Sequence, residues 1–294
     1  MKTLRFLLCA VVISTAFFGV VSAQTKTDDP AVKHTFTYNG MEREYWLYIP
    51  DSNPKDMPLV FVLHGYGGKA AGYRREMVEV AREEGFAVCY PQGRVNSVGK
   101  TGWNVGYPSQ ADLKDDDVAL VIDLAHKLQD EYGFSRKNTF LSGMSNGGEM
   151  CYLVAWSQDT TFSAIASVAG LTMRWLFDGP KGTRPVPFME IHGTSDKTSH
   201  WEGDPDGKYG WGAYVSVPSA VSAIVSQDKC AGYEKTELTP LSPESRKVTL
   251  HRYFAGENGS EVRLYEVTGG THSWALKDMD TCREIWNFFK LYLR

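Results

Sequence analysis

A hydroxyl, a carboxylate and an imidazole each follow an apolar run in this sequence. Ser145 lies in SGMSNGG, Asp196 in HGTSD and His272 in GGTHSW. Together the three residue types supply what acyl transfer needs. A serine hydroxyl is a weak nucleophile and needs a base to take its proton. The base in turn needs a carboxylate to hold its tautomer and stabilise the imidazolium.

The serine carries the most local information. Gly143-Met144-Ser145-Asn146-Gly147 has the G-x-S-x-G pattern, preceded by the strand-like NTFLSG and followed by the helix-like GGEMCYLVAW. That context suits a sharp strand-to-helix elbow, with glycines where the turn is crowded. An ordinary loop serine is the plainer alternative. Of the seven histidines, His34 and His251 sit within strands and His126 sits on a helix. His64 and His192 precede Gly at strand ends, where a ring more often braces a turn, and His200 lies in a long loop. His272 alone follows the last apolar run on a Gly-Gly loop that can carry it over a sheet edge. Asp196 follows a buried run directly, whereas Asp178, Asp204 and Asp206 lie in looser loops. An oxyanion hole needs two N–H donors. Asn146 follows the serine, and Tyr66 in HGYGG offers the second.

These residues need a scaffold that brings them to one edge. HTFTYNG and REYWLYIP read as a hairpin, and PLVFVLHG and FAVCYPQG as strands buried on both faces. NTFLSG, FSAIASVAG, VPFMEIHG, KVTLHRYF and EVRLYEV add five more strands. Residues 69–84, 117–134, 147–157, 217–227 and 281–293 have helical periodicity, and 94–115 and 199–216 are long loops. Strands alternating with helices predict a mostly parallel sheet covered on both faces, with its site at the carboxyl ends of the strands. The order Ser, Asp, His along the chain is that of the α/β-hydrolase fold.

The chain has 294 residues, 43% hydrophobic and 22% charged, with a net charge of −4. Lys2 and Arg5 precede an apolar run that ends in Val21-Ser22-Ala23, the pattern of an export signal cut after Ala23. A membrane anchor is the rival reading of that run; the polar stretch from Gln24 favours cleavage. The reading is then a signal at 1–23, an exposed leader at 24–33 and one catalytic domain at 34–294, in the periplasm or outside the cell, with no membrane attachment after cleavage. An acidic chain without a Lys/Arg block is a poor match to nucleic acid. Export permits disulfides. No C-x-x-C spacing suggests a metal site, and GDPDGKYG (203–210) reads as a polar turn, with too few ligands for calcium. Among the mature cysteines, Cys89 and Cys151 read as buried thiols. Cys230 and Cys282, at polar segment ends, are the favoured pair if any bridge forms.

LHGYGG, YPQG, GWN, DDVALV, SGMSNGG, ASVAG, HGTSD and GGTHSW occur in an order that resembles secreted esterases, from about residue 34 to 294. The sequence is similar to polyhydroxybutyrate depolymerases and to the feruloyl and acetylxylan esterases of carbohydrate esterase family one. The resemblance implies an α/β-hydrolase fold and a serine esterase mechanism without metal or organic cofactor. It carries the catalytic roles to Ser145, Asp196 and His272. Depolymerases of solid polymer often have extra binding domains, and one catalytic domain argues against that activity.

Substrate recognition is expected from loop aromatics: Trp103, Trp201, Trp211, Tyr214 and above all Trp274, two residues beyond His272. Tyr107 belongs to the same set. Rings suit sugar faces or a phenolic acyl group, and each could equally pin its loop. The reading at this level is a feruloyl esterase acting on acylated plant cell-wall polysaccharide. Acetylxylan esterase and polyhydroxybutyrate-type depolymerase are the alternatives within the class. A serine peptidase and a non-catalytic carbohydrate binder stand outside it.

Overall fold

The computed structural model describes residues 30–50, 53–72 and 75–294. The expected export segment, its expected cut and most of the 24–33 leader lie outside them. Ala31–Arg294 form one compact unit.

Among the described residues, ten strands make one sheet. They are β1 (Val32–Tyr38), β2 (Met41–Tyr48), β3 (Leu59–Leu63), β4 (Ala87–Pro91) and β5 (Thr139–Met144), then β6 (Ala164–Val168), β7 (Phe188–Gly193), β8 (Gly232–Glu237), β9 (Val248–Phe254) and β10 (Val262–Val267). Their spatial order is β1-β2-β4-β3-β5-β6-β7-β10-β9-β8. The six from β4 to β10 in that order run parallel, and antiparallel pairs flank them on both sides. This is the α/β-hydrolase architecture that the alternating pattern predicts.

The parallel strands are solid apolar runs because both faces are covered. Successive side chains of β3 show it. Leu59, Phe61 and Leu63 join the core shared with α2 (Asp117–Tyr132), α3 (Asn146–Trp156) and α5 (Val217–Gln227). Val60 and Val62 join the opposite core, beneath α1 (Arg75–Glu84) and α6 (Thr281–Lys290). Asp116 caps α2 by accepting from Ala119 N–H, and Gly133 ends it in the left-handed region at φ 73°. A short fourth helix, α4 (Arg174–Asp178), follows β6.

α4 was not part of the sequence reading, and β1 and β8 also depart from it. β1 begins at Val32, inside the segment read as leader, because Val32 and Lys33 pair with Leu47 and Trp46. β8 was not expected at all. Its sequence GYEKTE is exposed along most of its length. An edge strand with solvent on both faces has no reason to alternate, and charge along it blocks further pairing.

The topology sets the site. β3 has β4 on one side and β5 on the other, so the chain reverses its direction of sheet growth at β3. In open parallel sheets such a switch point opens a crevice at the carboxyl ends of the strands. The Gly65–Tyr66 loop and Ser145 both lie there.

Candidate active site

Ser145 closes the turn between β5 and α3 at φ 57°, ψ −122°. A non-glycine residue there is strained by about 1–3 kcal/mol and persists only where its surroundings hold it. Its N–H donates to Val168 O at 2.8 Å, and its carbonyl accepts from Glu149 N–H at 2.9 Å. The turn closes only on glycine. A Cβ on Gly143 would lie 2.4 Å from Gly147 O, and one on Gly147 would lie 2.5 Å from Leu63 O. Ser145 is half-buried and stands at the N-terminus of an 11-residue helix, where the dipole favours negative charge.

Asp196 and His272 sit on loops clamped to each other. β7 and β10 are adjacent and parallel. Past their ends, Ser195 N–H donates to Gly270 O at 2.9 Å and Gly269 N–H donates to Thr194 Oγ1 at 2.8 Å. His272 Nδ1 then donates to Asp196 Oδ2 at 2.7 Å. Asp196 Oδ1 accepts from the N–H groups of Thr198 and Ser199, at 2.7 and 2.9 Å. Burial pushes the Asp196 carboxyl up. The His272 hydrogen bond and charge, the Thr198 N–H and nearby His192 outweigh it and hold the group below the usual carboxylate range. With Nδ1 engaged by Asp196, Nε2 is the ring nitrogen left for Ser145. Among the described residues, no hydrogen bond joins Ser145 Oγ to that nitrogen, a separation common before substrate tightens a site.

The loop after β3 passes against the serine: a Cβ on Gly65 would be 3.2 Å from Ser145 Cβ. His64 holds this loop. Its Nε2 faces two groups that can only donate, Gly93 N–H and the Gln92 amide, each at 2.9 Å. The proton therefore sits on Nδ1, which donates to Gly65 O at 2.7 Å. Burial lowers the His64 pKa and keeps the ring neutral. The carbonyl so held belongs to the same peptide as Tyr66 N–H, so His64 aims that N–H. Asn146 N–H is the second predicted donor. The Asn146 side chain is buried and engages the backbone of Trp103.

The aromatics divide. Trp274 is half-buried and lines a cleft of about 190 Å³ together with His64, Gly65, Met144 and Tyr90. Trp211 is half-buried, edge-on to Tyr66 at 5.6 Å and tilted against Tyr107 at 4.9 Å. Trp201, also half-buried, meets His192 edge-on at 6.0 Å. Trp103 and Tyr214 correct the expectation of substrate contact. They are 0% and 1% exposed. Trp103 donates its ring N–H to His64 O at 2.9 Å, and Tyr214 accepts His200 N–H at 3.2 Å. Both pin their loops from inside.

The Cys230–Cys282 pairing is also corrected: no disulfide joins them. Cys230 packs against one core and Cys282 lies in the other, so the sheet separates them. A bridge needs Cα atoms within about 7 Å. What sequence reasoning passed over is the second carboxylate–imidazole pair behind Asp196. His192 and Glu190, both buried, are 2.9 Å apart. The EIH spacing, two residues apart on a strand, is the sequence signal that could have found it.

The fold, with its strand-end serine, aspartate and histidine, is that of the α/β-hydrolase class. Comparison with known proteins agrees. Residues 43–177 match the family described as Esterase PHB depolymerase. A bifunctional acetylxylan esterase/xylanase of Neocallimastix patriciarum is 25% identical over 85% of this chain and 33% of its own length. A probable feruloyl esterase C of Aspergillus oryzae is 29% identical over 55% of this chain and 58% of its own. The chain thus spans between a third and three-fifths of these two relatives. Feruloyl esterase C of Emericella nidulans is 28% identical over 79% of this chain and 82% of its own. Two solved structures share the fold. An acetyl xylan esterase from Aspergillus awamori has TM-score 0.59 at 15% identity, covering 88% of this chain and 99% of that one. A CE1 ferulic acid esterase from Anaeromyces mucronatus has TM-score 0.55 at 15% identity, covering 89% and 90%. The chain is thus similar in part of its sequence to the polyhydroxybutyrate depolymerase family and to feruloyl and acetylxylan esterases, and it shares the α/β-hydrolase fold of the two solved esterases. No described helix is long and apolar enough to cross a membrane.

Proposed function

We propose that the protein is an exported serine esterase that removes feruloyl and related hydroxycinnamoyl groups from plant cell-wall polysaccharide. The observation that supports it most is the 2.7 Å bond from His272 Nδ1 to Asp196 Oδ2, at the sheet edge where the Ser145 elbow stands. His272 Nε2 takes the Ser145 proton as Oγ attacks the ester carbonyl. The tetrahedral oxyanion is received by Tyr66 and Asn146 N–H, in the field of the α3 N-terminus. His272 returns the proton to the departing sugar oxygen, leaving Ser145 acylated. Water then attacks the acyl-enzyme, with His272 as base again, and free acid leaves.

The choice of acyl group rests on the cleft. Val62, Leu63, Met144, Tyr90 and Trp274 give it an apolar lining next to Ser145. Such a lining stabilises a planar phenolic acyl group through buried area and ring contacts. An acetyl group would use little of it. Trp211 and Trp201 lie on the long 199–216 loop and are the proposed contacts for the sugar side. Trp103 and Tyr214 leave that role. The test compares methyl ferulate with an aryl acetate, using pure protein and Ser145→Ala as control. Turnover of acetyl esters without ferulate would make this an acetylxylan-type esterase, and preference for hydroxybutyrate oligomers would make it a depolymerase.

A further inference from the structure

Behind Asp196 lies a second imidazole that the reaction scheme does not use. His192 is 1% exposed, and its two neighbours Glu190 and Asp196 are 0% and 3% exposed. His192 Nδ1 lies 2.9 Å from Glu190 Oε1. Its Nε2 lies 2.8 Å from Ser199 O and 3.6 Å from Asp196 Oδ2. Asp196 Oδ2 therefore stands between two imidazoles, with His272 Nδ1 on its other side at 2.7 Å.

Every atom that His192 faces through its nitrogens is an acceptor. A neutral imidazole has one N–H and one lone pair. In this setting the lone pair would point at an oxygen lone pair, in a dry interior where the repulsion is poorly screened. A doubly protonated ring satisfies both contacts and gives the buried Glu190 a counter-charge. Among the described residues, Glu190 forms its ion pair with His192 and with no lysine or arginine. Trp201 meets the ring by its edge, and Cys151 and Tyr152 of α3 lie beyond Glu190, whose charge helps burial push both of their pKa values up. Burial alone would lower the His192 pKa, but Glu190, the Ser199 carbonyl and Asp196 together raise it.

We propose that His192 is a charged positioning residue, an imidazolium held by Glu190 that favours Asp196 as a carboxylate and ties down the 194–200 loop carrying it. It touches no substrate. It acts because a positive ring 3.6 Å from Asp196 favours the carboxylate, while its bond to Ser199 O holds the loop that aims it, and the direction of Asp196 sets the tautomer and tilt of His272. The inference rests on the assignment of Asp196 and His272 as catalytic. It also extends that assignment, making four buried or half-buried groups in a row the working unit.

The first measurement needs no variant. In protein labelled with ¹⁵N-histidine, the His192 ring is expected to show both nitrogens protonated at a pH above the ordinary imidazole value of about 6.5. A ring with a single N–H there would overturn the proposal. Kinetics give the second readout. Above its raised pKa His192 loses a proton and one of its two contacts, so kcat should decline on the alkaline side. His192→Gln, which can donate to Ser199 O but cannot carry charge, should lower kcat by about tenfold or more with KM unchanged, and the alkaline decline should vanish. Equal kcat and an unchanged pH profile in a folded His192→Gln protein would contradict the proposal. Asp196→Asn separates the two levels: if that variant stays active the triad assignment fails, whatever the His192 ring shows.

Discussion

Asn146 grips the backbone of Trp103 with both ends of its amide: Oδ1 accepts Trp103 N–H at 2.7 Å, and Nδ2 donates to Trp103 O at 3.1 Å. The residue after the candidate nucleophile is thus tied to a loop 43 positions earlier, and that loop's indole is tied to His64 O. The two proposed oxyanion donors, Tyr66 N–H and Asn146 N–H, share one brace.

Asn146→Asp should break it. A carboxylate cannot donate to Trp103 O, which keeps Gln110 Nε2 at 2.6 Å but loses this second donor, at a cost of about 0.5–1.5 kcal/mol. The expected outcome is a lower denaturation midpoint together with reduced kcat on every ester tested. Unchanged stability by chemical denaturation would show that the amide contacts carry no weight.

Ser145 offers a test of stored strain. Ser145→Ala and Ser145→Gly both remove the hydroxyl, and each should cut kcat by about 10⁴-fold or more. Only glycine relieves the φ of 57°. Ser145→Gly should therefore be more stable than Ser145→Ala by about 1 kcal/mol. Equal stabilities would mean that the elbow is unstrained.

Acid should act through Asp196. Its folded pKa is depressed, chiefly by His272 working against burial. A depressed carboxyl stabilises the fold above its unfolded pKa of about 3.9, and that contribution is lost as pH falls through the folded value. Melting temperature should therefore drop across this acid range in the wild type, and the drop should be shallower in Asp196→Asn. Parallel curves would remove Asp196 from the linkage.

Two tryptophans predicted alike should behave differently. Trp274→Ala should weaken feruloyl esters by roughly tenfold in kcat/KM, a ring contact of about 1 kcal/mol plus lost apolar burial, and leave aryl acetates nearly untouched. Trp103→Ala should instead open a core cavity costing about 3–5 kcal/mol and depress all substrates together. Substrate-selective loss in Trp103→Ala would reverse the roles given to the two rings.

The parts of the site that were legible are those written locally. An elbow needs glycines within two residues of its serine, and Gly143 and Gly147 show why: added Cβ atoms would collide with backbone. Apolar runs on both-face-buried strands are equally plain, so β3 to β7 and their end residues could be placed. The polar edge strand β8 could not, because nothing packs on it to impose a pattern. Nor could the aromatics be sorted. Whether an indole faces solvent or a loop interior depends on which distant loop folds over it, as His64 and Asn146 do for Trp103. The Cys230–Cys282 expectation failed for the same reason: sequence position does not tell which face of a sheet a residue packs on. His192 was read as a brace for a turn, and its contact with Ser199 O agrees, but its place between Glu190 and Asp196 appears only once the 194–200 loop is folded back on β7.

The central claim is that Ser145 carries the acyl group during turnover. Intact-mass and peptide mass spectrometry after rapid acid quenching of the enzyme with a feruloyl ester tests it most directly. The account predicts a feruloyl adduct on the peptide containing Ser145, and neither adduct nor turnover in Ser145→Ala. An adduct on another residue, or ferulate release by Ser145→Ala at the wild-type rate, would contradict it.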